Sequence, residues 1–432
     1  MVDGQLLRPL DAGETFFHQS DQVSSMNFVV LAERAGPLEP VQIQTALDDL
    51  QREHGLLQTA VVRDQAQQLH FQLRPQARIA LRCCQIKHED WQGHIGELLT
   101  QGFAEGEAPL MRCLYLEFAN RHSILALCLH HSIADGRSAM ALLQSLLNHL
   151  AGAALPAAAV QSLPAMAEVM PAAYRWSEQP EAAQALKPKV VSDYRRHGAM
   201  SPLPWLDHTG PSSTPQLARL QLDTQTTQGL LARARSQATT LHAALCAAQL
   251  LATSRLQPEL DAQVLMLASP VDMRKRLAMP VPTTPTGLFV SIISSSHRIE
   301  TDTTLWPLAR EIRQQMQAQL ERGEGHLFYA LYGLDGPAPD AAQTATLKKK
   351  LLASVPNTMV SNIGTIEAAA ADPLLRNLSF ALFPMPYQSL FTAASTYGDQ
   401  LTLNIGFNAA RLGPHADRLI NSLEELLIQS AA

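Results

Sequence analysis

Leu129-His130-His131-Ser132-Ile133-Ala134-Asp135-Gly136 sets two adjacent histidines and an Asp-Gly pair where a hydrophobic run stops. The residues leading into it, Ile124-Leu125-Ala126-Leu127-Cys128-Leu129, are continuously apolar, the pattern of a strand covered on both faces. Beyond it, Ala139, Leu142, Leu143, Leu146, Leu147 and Leu150 recur at offsets of three and four, the stripe of an amphipathic helix. The motif is therefore a strand-to-helix turn, and the histidines finish a buried strand.

Adjacent side chains on a strand point to opposite faces, so His130 and His131 cannot both reach one atom without local distortion. The pair is a poor chelate, and no metal is expected. One imidazole is expected to be hydrogen-bonded into the core, while the other points into a cavity where a neutral ring accepts a proton. Asp135 can hold an arginine and so fix the loop, with Gly136 relieving the turn. Taken singly, a histidine at a strand end and an Asp-Gly turn are ordinarily structural. Their fixed spacing between a buried strand and a helix is what points to a general-base site.

His130-His131-Ser132-Ile133-Ala134-Asp135-Gly136 resembles the HHxxxDG signature of the superfamily of chloramphenicol acetyltransferase, nonribosomal-peptide condensation domains and polyketide-associated acyltransferases. Looser segments agree in the expected order. Arg8-Pro9-Leu10 with Glu14 resembles the opening strand and helix start, and Leu47 to Val62, with His54-Gly55-Leu56-Leu57, the first helix and next strand. Glu107-Ala108-Pro109-Leu110-Met111-Arg112 is similar to the strand entry upstream of the signature. Ser269-Pro270-Val271-Asp272-Met273-Arg274 and Val360-Ser361-Asn362-Ile363-Gly364 look like the superfamily's later PVDxR and SNxG strands.

This resemblance implies an α/β fold of two chloramphenicol-acetyltransferase-like lobes, mixed sheets with helices, set as a V around an active-site tunnel. It implies His131 as general base for direct acyl transfer from a thioester, with no covalent enzyme intermediate. Asp135 would bridge to an arginine, for which Arg274 is the candidate, and Ser361 or Asn362 would supply a donor for the developing oxyanion. No cofactor is expected to be permanently bound; the donor would carry phosphopantetheine, on an acyl carrier protein or coenzyme A. An alcohol acceptor, giving an ester, is favoured over an amine giving an amide, and some relatives are catalytically silent binding platforms. The intact second histidine speaks against the silent alternative.

Length and composition fit. A chain of 432 residues, 46% hydrophobic, exceeds what one core normally supports and suggests two lobes. A formal charge of -6 argues against nucleic acid as partner, and no segment is long and apolar enough to span a membrane. Cys83, Cys84, Cys113, Cys128 and Cys246 show no metal-ligand spacing and read as reduced core residues of a cytoplasmic protein, and a monomer is expected. The N-terminal seventeen residues carry Asp3, Arg8, Asp11 and Glu14, unlike a signal peptide. Neither a G-x-S-x-G elbow nor a glycine-rich phosphate loop is present. Basic clusters at Lys187, Lys189, Arg195 and Arg196, at Arg274-Lys275-Arg276 and at Lys348-Lys349-Lys350 are candidate docking faces for an acidic carrier.

Residues 1–150 read as a first lobe and 216–432 as a second. Between them, 151–215 is rich in alanine and proline and predicts a linker winding over the surface. In the second lobe, Thr240 to Leu251 is apolar nearly all round and predicts a central helix, with His242 expected to cap or pack its start. Strands are predicted at Ala218 to Leu222, Val264 to Ala268, Leu288 to Ser294, Met359 to Asn362 and Leu401 to Asn408, and a closing helix over His415 to Ile428.

Overall fold

In the computed structural model, residues 4–152, 163–175, 178–204, 215–284, 286–333, 341–352, 354–355, 357–367 and 372–432 are described. The motif strand, His122–His130, lies in a five-stranded sheet between Asn27–Ala35 and Met111–Phe118. It pairs antiparallel with Asn27–Ala35 in continuous register, from Ala35 opposite His122 to Asn27 opposite His130. Its unbroken apolar run has a simple cause. Leu125, Leu127 and Leu129 face one core cluster, packed beneath helices Pro40–Glu53 and Gly136–Leu150, while Ile124, Ala126 and Cys128 face another, built with Trp91, Ile95 and Leu98. Each fully buried leucine there contributes about 1.5–3 kcal/mol relative to an exposed one, which pins the register that delivers the histidines.

The second lobe is a six-stranded sheet in the order Val290–Glu300, Ala262–Asp272, Asn357–Ile366, Gln388–Tyr397, Gln400–Asn408, Pro215–Leu222. Helices Leu241–Ser254, Leu305–Glu321 and Ala409–Ala431 contribute to its core. Leu241–Ser254 is buried from Ala243 through Thr253, as its nearly all-round apolar pattern implies. A three-stranded sheet of Leu6–Pro9, Leu69–Leu73 and Thr59–Arg63 stands beside the first lobe.

One strand crosses between the halves. Leu375–Leu382, which lies in the second half of the chain, forms the edge of the first lobe's sheet, antiparallel to Asn27–Ala35 with Phe380 opposite Val30. Leu378 and Phe380 join one of the first lobe's clusters and Ala381 the other, so the strand needs cover on both faces and finds it there. Gln388–Tyr397 then returns to the second lobe's sheet. The crossing segment carries Phe383, Met385 and Tyr387 across the seam.

Several expectations are corrected. The stretch 151–215 is not only a surface linker. It holds the helix Pro180–Tyr194, and Ala183, Leu186 and Val190 on one side of that helix join Met166, Val169 and Met170 in a core cluster with Phe16 and Phe17. Spacing three and four on a short helix is masked in the sequence by the surrounding alanine. Residues 153–162, 176–177 and 205–214 of that stretch lie outside the described residues. Cys83 is exposed and Cys84 half-buried, because Ala80–Ile86 is a sheet-edge strand; only Cys113, Cys128 and Cys246 are core thiols. Arg274 is buried, so Arg274-Lys275-Arg276 is not a three-residue surface patch. The predicted strands lengthen at their ends, except that the one predicted from Leu288 begins at Val290 and runs to Glu300, and the closing helix begins at Ala409.

Candidate active site

His130 and His131 part company at the strand end, as opposite pleat directions require. The His130 ring is buried, and its Nδ1 accepts from the Ser132 backbone N–H at 3.1 Å and lies 2.8 Å from the Ser132 hydroxyl. Accepting at Nδ1 leaves the proton on Nε2, which faces Asp21 Oδ1 at 3.8 Å. Burial, then the neighbouring His18 and His131, push its pKa down to about 3. This is the core imidazole.

His131 is partly exposed and lines a cavity of about 330 Å³ between the two lobes. Its ring stacks on Phe17 with centroids 4.1 Å apart and planes 12° apart, and leans on Phe28 at 4.6 Å. Its backbone N–H donates to the Met26 carbonyl at 2.9 Å, which ties the motif to the loop before Asn27–Ala35. Nδ1 is buried, so Nε2 is the nitrogen available to the cavity. Burial lowers the pKa to about 4, against the pull of the Asp135 carboxylate and of the backbone of His131 and Ala134. The ring is neutral at neutral pH, the form a proton acceptor needs.

Asp135 is buried at the cavity wall and satisfied on every side. Oδ1 caps the helix Gly136–Leu150, accepting from the N–H groups of Arg137 and Ser138 at 3.0 Å each. Oδ2 accepts from the Phe289 N–H at 2.8 Å and from Arg274 Nη2 at 2.9 Å. Arg274 in turn donates to Asp272 at 3.0 Å and to Ser138 Oγ at 2.8 Å, and lies over the Phe289 ring. Burial works against its charge, but Asp135 and Asp272 outweigh it and raise the pKa. The backbone N–H of Asp135 and the Ser138 hydroxyl both donate to the Gly287 carbonyl. A loop of the first lobe is thereby bolted to the second at the seam where His131 sits.

Gly136 needs a different explanation from the one its sequence invites. Its backbone is not left-handed; a Cβ there would lie 3.3 Å from Ile363 Cγ2, so the absent side chain lets the two lobes approach. Ser361, Asn362 and Ile363 do line the cavity. Asn362 Oδ1 accepts the N–H of Gly364, whose φ of +83° makes a sharp kink in the strand, so the Asn362 amide is partly committed to that turn.

Sequence reasoning missed several lining residues. Phe16, Phe17 and Phe28 come from the N-terminal helix and strand, Phe383, Met385 and Tyr387 from the crossover, and Phe391 from the strand Gln388–Tyr397. No motif marks any of them. Asp272, quoted above only as a strand end, bridges Arg274 and Arg137, the latter at 3.1 Å on the cavity wall. His242 is not a cap: Thr240 caps its helix, and His242 lines the cavity with Nε2 3.2 Å from Ser269 Oγ, its pKa lowered to about 4 by burial. Among the described residues no three histidine, cysteine or acidic side chains are grouped to hold a metal ion, and no helix is long and apolar enough to cross a membrane.

Two mixed lobes clasping a His-His-x-x-x-Asp-Gly turn define the condensation-domain class of architecture. Residues 211–405 match the model of the phthiocerol/phthiodiolone dimycocerosyl transferase C-terminus family. Among solved structures, the chain is similar to polyketide synthase associated protein 5 from Mycobacterium tuberculosis, at 17% identity and TM-score 0.69, covering 99% of each chain. It is also similar to the first condensation domain of the calcium-dependent antibiotic synthetase, at 16% identity and TM-score 0.73, covering 98% of this chain and 97% of that one. A curated relative, a plipastatin synthase component of Bacillus subtilis, is 27% identical over 141 residues, 32% of this chain, and the match spans only 6% of that protein's length. The chain thus has the fold of condensation domains, and over residues 211–405 it is similar to the phthiocerol/phthiodiolone dimycocerosyl transferase C-terminus family.

Proposed function

We propose that this protein is an acyltransferase that moves an acyl group from a thioester directly onto an alcohol to form an ester, with His131 as general base. The observation that carries the reading is the neutral His131 ring, held between Phe17 and Phe28, with Nε2 left for a cavity that both lobes line. A hydroxyl there would lose its proton to Nε2 as its oxygen attacks the thioester carbonyl. The same proton then serves the departing thiolate. Holding both substrates beside one base converts a three-body encounter into an oriented reaction. Asp135 and Arg274 would not touch substrate; they position the loop that carries the base. Arg137, Ser361 and Asn362 are among the polar groups on the cavity wall, and of these the Asn362 side-chain N–H groups suit a developing oxyanion.

The donor would present its acyl group on phosphopantetheine, and an acyl carrier protein or coenzyme A would bring it; Lys187, Lys189, Arg195 and Arg196, which are exposed, are candidates for steering an acidic carrier. The fold similarity to polyketide-associated and condensation-domain proteins supports this donor class. A cytoplasmic location follows from such donors.

The test is product formation by purified protein from acyl-thioesters paired with alcohols or amines, read by mass spectrometry. An ester formed by the wild type and reduced by on the order of 10²–10⁴-fold in His131→Ala supports the reading. An amide-only product would transfer it to the amine acceptor, and turnover unchanged in H131A would end it.

A further inference from the structure

A second constellation borders a cavity of about 370 Å³ that shares no lining residue with the first; Ser295 and Glu311 line it and His297 is buried behind them. Within Val290–Glu300, Ser295 and His297 are two apart and so fall on the same face. Ser295 Oγ is 2.8 Å from His297 Nε2, and His297 Nδ1 is 2.9 Å from Glu311 Oε1 on the facing helix Leu305–Glu321. Gln315, one turn on, donates to the same Glu311 oxygen at 2.9 Å. Serine, imidazole and carboxylate are thus in line, with Nε2 toward the hydroxyl and Nδ1 toward the acid.

The tautomer follows from the donors. The Glu311 carboxyl is held below the usual carboxylate range, chiefly by the His297 hydrogen bond, so it accepts. A ring whose Nδ1 donates to a carboxylate keeps its lone pair on Nε2. The Ser295 hydroxyl must then be the donor, which is the polarity that activates a serine nucleophile.

We propose that Ser295, His297 and Glu311 form a second, independent hydrolytic site, which cleaves small, polar oxyesters through an acyl-serine. Ser295 Oγ bonds to the ester carbonyl carbon as its proton passes to His297 Nε2. The carbon–alkoxide bond breaks and the alcohol leaves with that proton. Water then gives a proton to Nε2, its oxygen attacks the acyl-serine, the Oγ–carbon bond breaks, and Oγ recovers the proton. Glu311 holds the ring and balances its transient charge.

The surroundings set the substrate class. Asp193, Arg196, His197, Gln314, Gln319 and Arg322 line the cavity, so a small substrate there meets charged and amide groups on several sides, and Ala318 is the one lining residue with a wholly apolar side chain. A donor for the oxyanion is built into the strand edge. Gln319 Nε2 donates to the Ser294 carbonyl at 2.6 Å, which shows that Ser294 turns its backbone outward from the sheet. Strand alternation turns the Ser296 N–H outward as well, directly after the nucleophile, where the Ser296 hydroxyl reaches the Asp193 carbonyl.

The full chain is incubated with a small alkyl fluorophosphonate and digested for peptide mapping, and hydrolysis of p-nitrophenyl acetate is followed in parallel. An adduct mapped to Ser295, absent in Ser295→Ala, is expected. Glu311→Gln should slow labelling and hydrolysis by on the order of 10²-fold or more, because the glutamine amide can donate to Nδ1 and so move the ring proton to Nε2. Circular dichroism of both variants establishes that they are folded; Glu311 is half-exposed, so E311Q serves if S295A fails to fold. No adduct on Ser295 in folded wild type, an adduct mapped elsewhere, or E311Q reacting at the wild-type rate overturns the proposal.

Discussion

Replacing Arg274 with methionine tests the bolt between the lobes. Both partners of the Asp135–Arg274 pair have side chains only 4% exposed, so the charges sit out of water. Removing one partner of such a pair costs about 3–5 kcal/mol, mostly because the other charge is left buried. Here the three backbone N–H donors on Asp135 remain, from Arg137, Ser138 and Phe289, so the lower end, about 3 kcal/mol, is expected for R274M. Asp135→Asn should cost a similar amount for the opposite reason. Its oxygen still serves the helix cap, but its amide meets the N–H groups of Phe289 and Arg274, leaving two donors facing donors at about 1–3 kcal/mol apiece. In the double variant no charge is stranded, so the loss should be about 2–3 kcal/mol rather than the sum of about 6. Urea unfolding of the four proteins at pH 7.5 measures this, provided the slope with denaturant is unchanged. If the two single losses add, the pair does not act as a unit and the bolt reasoning is wrong. Transfer activity should fall in R274M and D135N alike, since either frees the loop that aims His131.

Two glycines of the seam separate packing from backbone strain. Gly136→Ala should change stability by less than about 1 kcal/mol, the gain in helix propensity offsetting the tight contact with Ile363, whereas Gly364→Ala should lose about 1–2 kcal/mol because φ is +83°; equal effects in chemical unfolding would contradict this. Acid should unfold the protein before His131 is protonated. His18, His54, His131 and His242 are held at about 4 and His130 at about 3 against 6.5 when unfolded. Depressed folded values mean that stability is complete above pH 6.5 and is lost as pH falls toward 4, by about 3 kcal/mol per ring, together comparable with a domain's whole stability of about 5–15 kcal/mol. Equal denaturation midpoints at pH 7.5 and 4.5 would refute this. Transfer kcat/KM should accordingly be flat from pH 8 to 6.5, because His131 is neutral throughout.

The turn and its setting were legible from the order of residues alone. A run apolar at every position from Ile124 to Leu129 requires cover on both faces, the 3.6-residue stripe after Ser138 requires a helix, and adjacent histidines between them must diverge. The two-lobed class followed from that motif and its companions in order. What pattern cannot carry is distance across the chain. Leu375–Leu382 joins the first lobe because that sheet edge buries both its faces, and its sequence, with Arg376, Asn377 and Ser379 among apolar residues, marks no sheet in particular. The crossover then sets Phe383, Met385 and Tyr387 in the cavity, a role that none of their neighbours in sequence announces. Asp272 gained its bridging role, and Gly136 its reason for being glycine, only when Arg137 and Ile363 came within contact. Local periodicity is written residue by residue; a cavity is a property of surfaces that meet only after both lobes have folded.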